Sequence, residues 1–300
     1  IGSDKKIYGA PLSVDSLALY YNKDLFNAAG IATPPATWEE AAQDVSQLTQ
    51  VDQSGNIRQS GIALGTAQNI NRSTDILGAM MFQLGSTLAD PQSGRINLTE
   101  EAALGAADFY TQFSRIDSPY YTWNPRQHYS IDAFYEGTLG MMVNYSWQYP
   151  VIKQKNAKLN IGVAPLPQFA NADTKSNYAN YWGYAVTRNK EYVATGQNAA
   201  PVDKDKQNAA RIHEAWQFLR YFAYPHPEKM VTLENALSGT TKDFPLTFDP
   251  AERYLEKTKK PAALRDLIEK QKSDTVLAPF ATGNLIAKNW HQSNPEQIET

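Results

Sequence analysis

Short apolar runs alternate along this chain with longer segments in which apolar residues recur at helical spacing. In the first run, Leu17–Tyr21, consecutive residues are apolar, which is typical of a strand buried on both faces. Asn22–Asp24 ends this run, and the helical pattern that follows stops at Gly30. We therefore predict two strands that meet at residues 13–15, followed by a helix. Similar runs predict strands over residues 60–65, 139–143, 159–164 and 181–187.

The clearest helix signal begins at Thr37. Thr37 and Glu40 have the spacing of a capping box, in which each side chain bonds the backbone amide of the other residue. The apolar stripe that follows predicts an amphipathic helix to about Leu48. Another helix is predicted from Gln207 to about Phe222.

Strands that alternate with helices predict an α/β fold with a mostly parallel sheet. After a polar segment at 189–206, the chain shows nearly all helical patterns, with helices predicted at 227–235 and 262–271, a connector at 277–280 and a further helix from Asn284. Because those helices have no strands of their own to cover, we expect them to pack on a sheet supplied from elsewhere.

Composition narrows the possible functions. With 300 residues the chain is long enough for two lobes, and its net charge of −3, without basic runs, argues against a nucleic-acid binder. It has no cysteine, which excludes thiolate metal sites and cysteine nucleophiles. We find no phosphate-binding loop, zinc-protease motif or nucleophile elbow. We therefore expect no cofactor, no metal and no nucleic-acid partner.

Two features suggest binding. Asp15 lies at the entrance of a buried strand, where a charge is costly unless a polar group meets it. The chain also has 17 Tyr, 11 Phe and 6 Trp, and many of these residues fall in loops or at strand ends. Aromatic residues in such places either anchor loops or offer a face to a ligand.

Five segments, in this order, resemble those of bacterial ABC-transporter sugar-binding proteins of the maltodextrin-binding type. They are DSLALYYNKDLF, TWEE, EGTLGMMVNYSWQY, IGVAPLP and YWGYAVTRN. The resemblance implies an α/β, two-lobed clamp of the periplasmic-binding-protein type II fold, with residues 1–12 and 189–276 in the first lobe and 13–188 and 277–300 in the second. We expect the first lobe to lack its opening segment and the second its closing helix.

The resemblance also implies a function. The chain would bind a neutral mono- or oligosaccharide between its lobes without catalysis, close about a hinge, and present the sugar to the permease subunits of an ABC transporter. It would lie at the extracellular face of a bacterial membrane, held by a lipid anchor, or in the periplasm.

Seven positions match binding positions of that family. Asp15 matches an acidic hinge residue that accepts sugar hydroxyls, and Trp147 an aromatic that stacks on a sugar ring. Trp182 and Tyr184 match a strand that faces the cleft, and Asn69 and Asn71 match a loop that reaches the sugar. Trp290 falls near another sugar-stacking aromatic of the family.

Alternatives remain open at this point. Asp15 is also compatible with capping a loop, Trp147 with anchoring a strand end, and Asn69 with an ordinary turn. A glycoside hydrolase would need a second carboxylate facing Asp15, for which Asp75 and Asp132 are possible partners. An interaction module without a small ligand is the third possibility.

Overall fold

The computed structural model describes residues 7–90, 93–187 and 203–290. It contains two compact units: a smaller one, Ile1–Val14 with Tyr181–Leu267, and a larger one, Asp15–Asn180 with Ile268–Thr300. The predicted α/β class is confirmed, whereas the lobe boundaries expected at residues 12, 188 and 276 stay predictions. The strands are β1 (Ala10–Ser16), β2 (Ala18–Asn22), β3 (Gln50–Val51), β4 (Ile57–Ile62), β5 (Leu139–Asn144), β6 (Ile161–Pro165), β7 (Asn177–Tyr184), β8 (Met230–Glu234), β9 (Thr241–Pro245) and β10 (Ala287–Lys288). The helices are α1 (Lys23–Ala29), α2 (Trp38–Leu48), α3 (Ser73–Gln83), α4 (Glu101–Gln112), α5 (Ser130–Glu136), α6 (Gln148–Lys155), α7 (Lys204–Ala223), α8 (Pro250–Thr258), α9 (Arg265–Gln271) and α10 (Ala278–Asn284).

The core of the larger unit is a five-stranded sheet in the order β3-β4-β5-β2-β6. β4 and β5 are parallel, but β2 runs antiparallel to both of its neighbours, with Ala18 opposite Asn144 and Pro165. The prediction of a mostly parallel sheet was therefore wrong for this sheet. The helical connection through α6 does make β5 and β6 run the same way, but β2 is inserted between them in the opposite direction.

α2 packs closely on this sheet. Thr37 and Glu40 form the predicted capping box, with Thr37 Oγ1 accepting from the Glu40 amide at 3.1 Å and Glu40 Oε2 accepting from the Thr37 amide at 3.2 Å. A Cβ at Gly61 would lie 2.8 Å from the Val45 Cα, so only glycine allows the strand to approach the helix this closely. The buried face of α2 is the predicted stripe of Trp38, Ala41, Ala42, Val45 and Leu48.

In the smaller unit, the prediction of helices without strands was wrong. Residues 227–235 do not form a helix, because β8 and β9 pair as an antiparallel hairpin from Met230 opposite Pro245 to Glu234 opposite Thr241. Val231 and Thr232 are β-branched, and Gly239, at φ 71°, helps the chain to turn between the strands.

The end of the described chain also differs from the prediction. α10 occupies the expected connector, with Pro279 in its first turn, where a missing amide hydrogen costs little. The helix expected from Asn284 is absent from the described residues, because the chain leaves α10 there and forms β10, which pairs in parallel with β7. Residues 291–300 lie outside the described part of the chain. No helix in the described ranges is long and apolar enough to cross a membrane.

Candidate ligand-binding site

The candidate site is built on the turn that follows β5, residues 144–147. β5 is buried along its whole length, so the turn begins from a fixed point. The Tyr20 hydroxyl, on neighbouring β2, donates to the Tyr145 carbonyl at 2.7 Å, and Asn144 Oδ1 accepts from the Tyr145 amide at 2.9 Å. Both bonds join buried groups, so the backbone of the turn is held from two sides.

Asp15 holds the same turn through its carboxylate. One oxygen, Oδ2, accepts from the Ser146 amide at 3.1 Å and from the Ser146 hydroxyl at 2.5 Å, while Oδ1 accepts from the Ser16 amide at 2.9 Å. The residue is only 1% exposed, and these donors offset the cost of burying its charge. Burial first, and then the charge of Asp15, raise the pKa of Tyr20 well above its ordinary value.

Trp147 forms an aromatic stack with Tyr145. Their ring centroids are 4.7 Å apart with an interplanar angle of 22°. Tyr145 is fully buried, whereas Trp147 is half-buried. Because Tyr145 covers one face of Trp147, any ring that stacks on this indole has to use the opposite face, which we call the outer face.

Arg72 lies beside this stack. Its guanidinium carbon is 5.3 Å from the Trp147 centroid and 5.6 Å from the Tyr145 centroid. A guanidinium on the outer face of Trp147 would lie about 10 Å from the Tyr145 centroid, the sum of the stacking and cation–π distances. The nearly equal distances therefore place Arg72 in cation–π contact beside the stack and leave the outer face of Trp147 uncovered by it.

Asp75, in the first turn of α3, fixes the Tyr145 ring. Its Oδ2 accepts from the Tyr145 hydroxyl at 2.9 Å. Burial raises the pKa of the Asp75 carboxyl above its ordinary value, although the bond from Tyr145 and the charge of Arg72 act in the opposite direction. The pKa of Tyr145 is in turn raised strongly by burial and then by the charge of Asp75.

Trp290 contacts Tyr178, which lies near this cluster. The parallel pairing of β10 with β7 brings Lys288 opposite Tyr178, two residues before Trp290. Trp290 Nε1 then donates to the Tyr178 hydroxyl at 3.2 Å, and both residues are half-buried. Burial first, and then the charge of Asp75, raise the pKa of Tyr178.

Asn71 and Asn69 lie in the loop before α3. Asn71 accepts from the Asn144 side chain at 3.0 Å and donates to the Tyr129 hydroxyl at 2.8 Å, so it contacts the turn after β5. Asn69 instead joins two loops, as its Nδ2 donates to the carbonyls of residues 124 and 127 and its Oδ1 accepts from residues 66 and 123. Both of its donors and its oxygen are engaged, which favours a structural role for Asn69 over ligand binding.

Trp182 and Tyr184 belong to the smaller unit, on the second half of β7. They are 51% and 54% exposed. Lys260 Nζ lies 4.5 Å from the Trp182 centroid, and the Tyr184 ring is 6.5 Å from that of Phe222. Their role in ligand binding stays a prediction.

The structure therefore brings Asp15, Asn71 and Trp147 of the larger unit to one set of connected residues. Trp290 contacts Tyr178, which lies near enough to Asp75 for that charge to raise its pKa. The sequence had not assigned binding or supporting roles there to Arg72, Asp75 or Tyr178. The available signal was the spacing of Arg72 and Asp75, three residues apart where a helix begins and hence on one side of it. No group of three or more His, Cys, Asp or Glu residues in the described ranges is arranged to hold a metal ion.

An α/β fold with a half-exposed indole and a buried carboxylate on one turn is consistent with a solute-binding protein. The family model described as bacterial extracellular solute-binding protein matches residues 1–225. This chain belongs to that family, and the resemblance drawn from the sequence is confirmed.

Individual relatives agree with this assignment. A binding protein of Brucella abortus (strain 2308) is 30% identical over 234 residues, which cover 69% of this chain and 55% of the relative. The maltodextrin-binding protein MdxE of Bacillus subtilis (strain 168) is 26% identical over 197 residues, covering 62% of this chain and 43% of that protein. This chain thus spans about half the length of the curated relatives it matches.

A solved structure shares the fold. The maltose/maltodextrin-binding domain MalE from Bdellovibrio bacteriovorus, bound to maltotriose, has a TM-score of 0.64 and 17% identity, and the match covers 99% of this chain and 65% of that one. The expected fold class, that of the periplasmic solute-binding proteins, is thereby confirmed.

Proposed function

We propose that this chain is the sugar-binding part of a receptor that serves an ABC importer, and that its ligand is a neutral mono- or oligosaccharide. The observation that carries the proposal is the outer face of Trp147, presented by a turn that Asp15, Tyr20 and Asp75 hold in place. A sugar ring has an apolar C–H face that stacks on an indole. Burying such an aromatic contributes on the order of 1.5–3 kcal/mol.

The polar residues of the site suit the hydroxyl rim of a sugar. Hydrogen bonds to a charged group contribute roughly 1.5–3 kcal/mol each. Since the Asp15 carboxylate already accepts from the Ser146 hydroxyl, we propose that a sugar hydroxyl replaces that hydroxyl on binding. Asn71 would supply further polar contacts, and Trp290 a second ring. Trp182 and Tyr184 stay candidate ligand-binding residues of the smaller unit. Two stacked rings and two such bonds together contribute roughly 6–12 kcal/mol, so the ~8 kcal/mol of a micromolar complex is within reach once ordering costs are subtracted.

The maltodextrin and maltotriose named for the relatives support the class of ligand, and the family description supports an extracellular location. We propose that the receptor lies at the extracellular face of a bacterial membrane through a lipid anchor, or in the periplasm. Its partners would be the permease subunits of the importer. Release of the sugar unchanged, rather than hydrolysis, is part of the proposal.

Calorimetric titration of the 300-residue chain tests this function. We expect saturable binding of at least one sugar among maltotriose, mannobiose and glucose, with affinity about 10-fold or more lower in Trp147→Ala and intermediate in Trp147→Phe. Phe248→Ala, which removes an exposed ring of the smaller unit, is the matched control and should bind as the wild type does. Absence of binding to every sugar, or equal binding by Trp147→Ala, would overturn the proposal.

A further inference from the structure

Arg72 has hydrogen-bonding capacity that the described residues leave unused. Its guanidinium makes no hydrogen bond or ion pair with any described residue, and its Nε is buried without a partner. A guanidinium carries five N–H donors and is always charged, so burying part of it without an acceptor is unfavourable. An acceptor from outside the described residues would remove this cost.

The backbone of Arg72 is unusual as well. Its φ of 67° and ψ of 25° lie in the left-handed region, which residues with a side chain rarely adopt. The residue precedes α3 in the N-cap position, where an extended backbone and a bonding side chain are usual, yet its side chain caps nothing. Conformations of this kind persist where the surrounding structure demands them, and they cluster at ligand sites.

The position of the guanidinium fits a sugar that stacks on Trp147. Arg72 lies beside the Tyr145–Trp147 stack and does not cover the outer face of the indole. A pyranose on that face directs its hydroxyls outward past the ring edge, toward such a group. Asp75 lies near enough to Arg72 for the guanidinium charge to affect its carboxyl, so this side of the stack already carries charges of both signs.

We propose that Arg72 is a ligand-binding residue that determines specificity, and that its planar fork donates to two adjacent hydroxyls of the neutral pyranose stacked on Trp147. This assignment rests on the proposed sugar-binding function and adds to it the orientation of the ring. Two parallel N–H donors match a pair of neighbouring oxygens, whereas a single ammonium group does not.

The test compares Arg72→Lys, Arg72→Met and Arg72→Gly with the wild type, by calorimetry with maltotriose and by thermal melting. Lysine keeps a cation beside the rings but loses the fork, so we expect wild-type melting with an affinity about 10-fold lower. The affinity of Arg72→Met for maltotriose should be about 10- to 100-fold lower than that of the wild type. Glycine, which adopts a positive φ without cost, should melt no lower than the methionine variant and bind equally weakly.

Arg126→Met is the matched control. Arg126 is exposed and lines a separate polar cavity beside the amino ends of β4 and β5, where Ile57 and Thr138 lie, whereas Arg72 follows the carboxyl end of β4. Its loss should leave maltotriose affinity unchanged.

Three results would contradict the assignment. Wild-type affinity in Arg72→Lys would show that Arg72 acts only as a cation that stabilises the aromatic stack. Wild-type affinity in Arg72→Met would show that Arg72 does not bind the sugar. If the wild type binds tri-galacturonic acid more tightly than maltotriose, Arg72 binds a carboxylate rather than a pair of hydroxyls. If the wild type binds no sugar at all, the proposed function itself fails, and this titration shows it before any variant is measured.

Discussion

Replacing Tyr145 with phenylalanine tests how the candidate site is held. The substitution keeps the ring that stacks on Trp147 and removes only the hydroxyl that donates to Asp75 at 2.9 Å. A hydrogen bond to a charged group contributes about 1.5–3 kcal/mol. We expect Tyr145→Phe to lower the free energy of unfolding by that amount at neutral pH.

The loss of unfolding free energy in Tyr145→Phe should be larger at neutral pH than at acidic pH. Burial already holds the pKa of Asp75 above its ordinary value of 3.8, and the bond from Tyr145 lowers it, so losing that bond raises the folded-state pKa further. A carboxyl whose pKa is raised on folding costs nothing below its unfolded pKa, where it is protonated in both states. Its cost grows as pH rises past 3.8 and is complete above the folded-state pKa. The charge-dependent part of the Tyr145→Phe effect should therefore be present at pH 7.5 and mostly lost at pH 3.5.

Urea denaturation at pH 3.5 and pH 7.5 measures this difference, and Tyr110→Phe is the matched control. The Tyr110 hydroxyl is also largely buried and donates at 2.8 Å, but to the carbonyl of Thr66, which does not titrate. Its loss should cost about 1 kcal/mol at both pH values. An equal cost of Tyr145→Phe at the two pH values would refute the claim that Asp75 is ionised and holds the Tyr145 ring.

Two further predictions concern residues outside the aromatic stack. Asn69→Ala should lower the free energy of unfolding by about 2–4 kcal/mol, because it removes hydrogen bonds to four residues of two loops. A fall in melting temperature no larger than that of Asn71→Ala would contradict the structural role of Asn69. Burial first, and then Glu40, raise the pKa of Asp44 from 3.8 to about 6, so its ionisation costs stability as pH rises from 3.8 through about 6. The full pKa shift would correspond to about 3 kcal/mol, but Asp44 is partly exposed, so solvent screens its charge and reduces this cost. We therefore expect Asp44→Asn to raise the free energy of unfolding by less than about 1 kcal/mol at pH 7.5 and not at all at pH 3.5. A gain at pH 3.5 in urea denaturation would argue against this cause.

Local signals in the sequence predicted local structure well. The Thr37–Glu40 capping box and the stop at Gly30 each depend on a few neighbouring residues, and both form as expected. Strand direction depends on where a strand is inserted in the sheet. Alternation of strands with helices carried no information about β2 lying antiparallel between β5 and β6.

The β8–β9 hairpin was missed for a different reason. Val231 and Leu233 alternate with polar residues along β8, a strand pattern, and Val231 and Thr232 are β-branched, but residues 227–235 were predicted to be a helix. The pattern of β8 favoured a strand, and Gly239 offered a turn after it.

For the candidate site, the resemblance supplied Asp15, Trp147 and Trp290, and the residues that support them came from the structure. The bond of Tyr145 to Asp75 joins residues 70 positions apart, so no local pattern predicts it. Arg72 lies in the polar segment 66–73 of the sequence. Its unused donors are a property of its surroundings, which no spacing in the sequence reports.

The central claim is that a sugar stacks on the outer face of Trp147, and the indole N–H signals of the six tryptophans test it most directly. Two-dimensional NMR of the chain labelled with ¹⁵N-tryptophan, titrated with maltotriose, mannobiose and glucose, follows each signal, and Trp147→Phe assigns the one of interest. The account predicts that a neutral sugar shifts the Trp147 signal in a saturable way. The signals of Trp38 and Trp123, whose indoles are buried and bonded to Gln83 and Asn69, should stay in place. A Trp147 signal that no sugar moves would contradict the account.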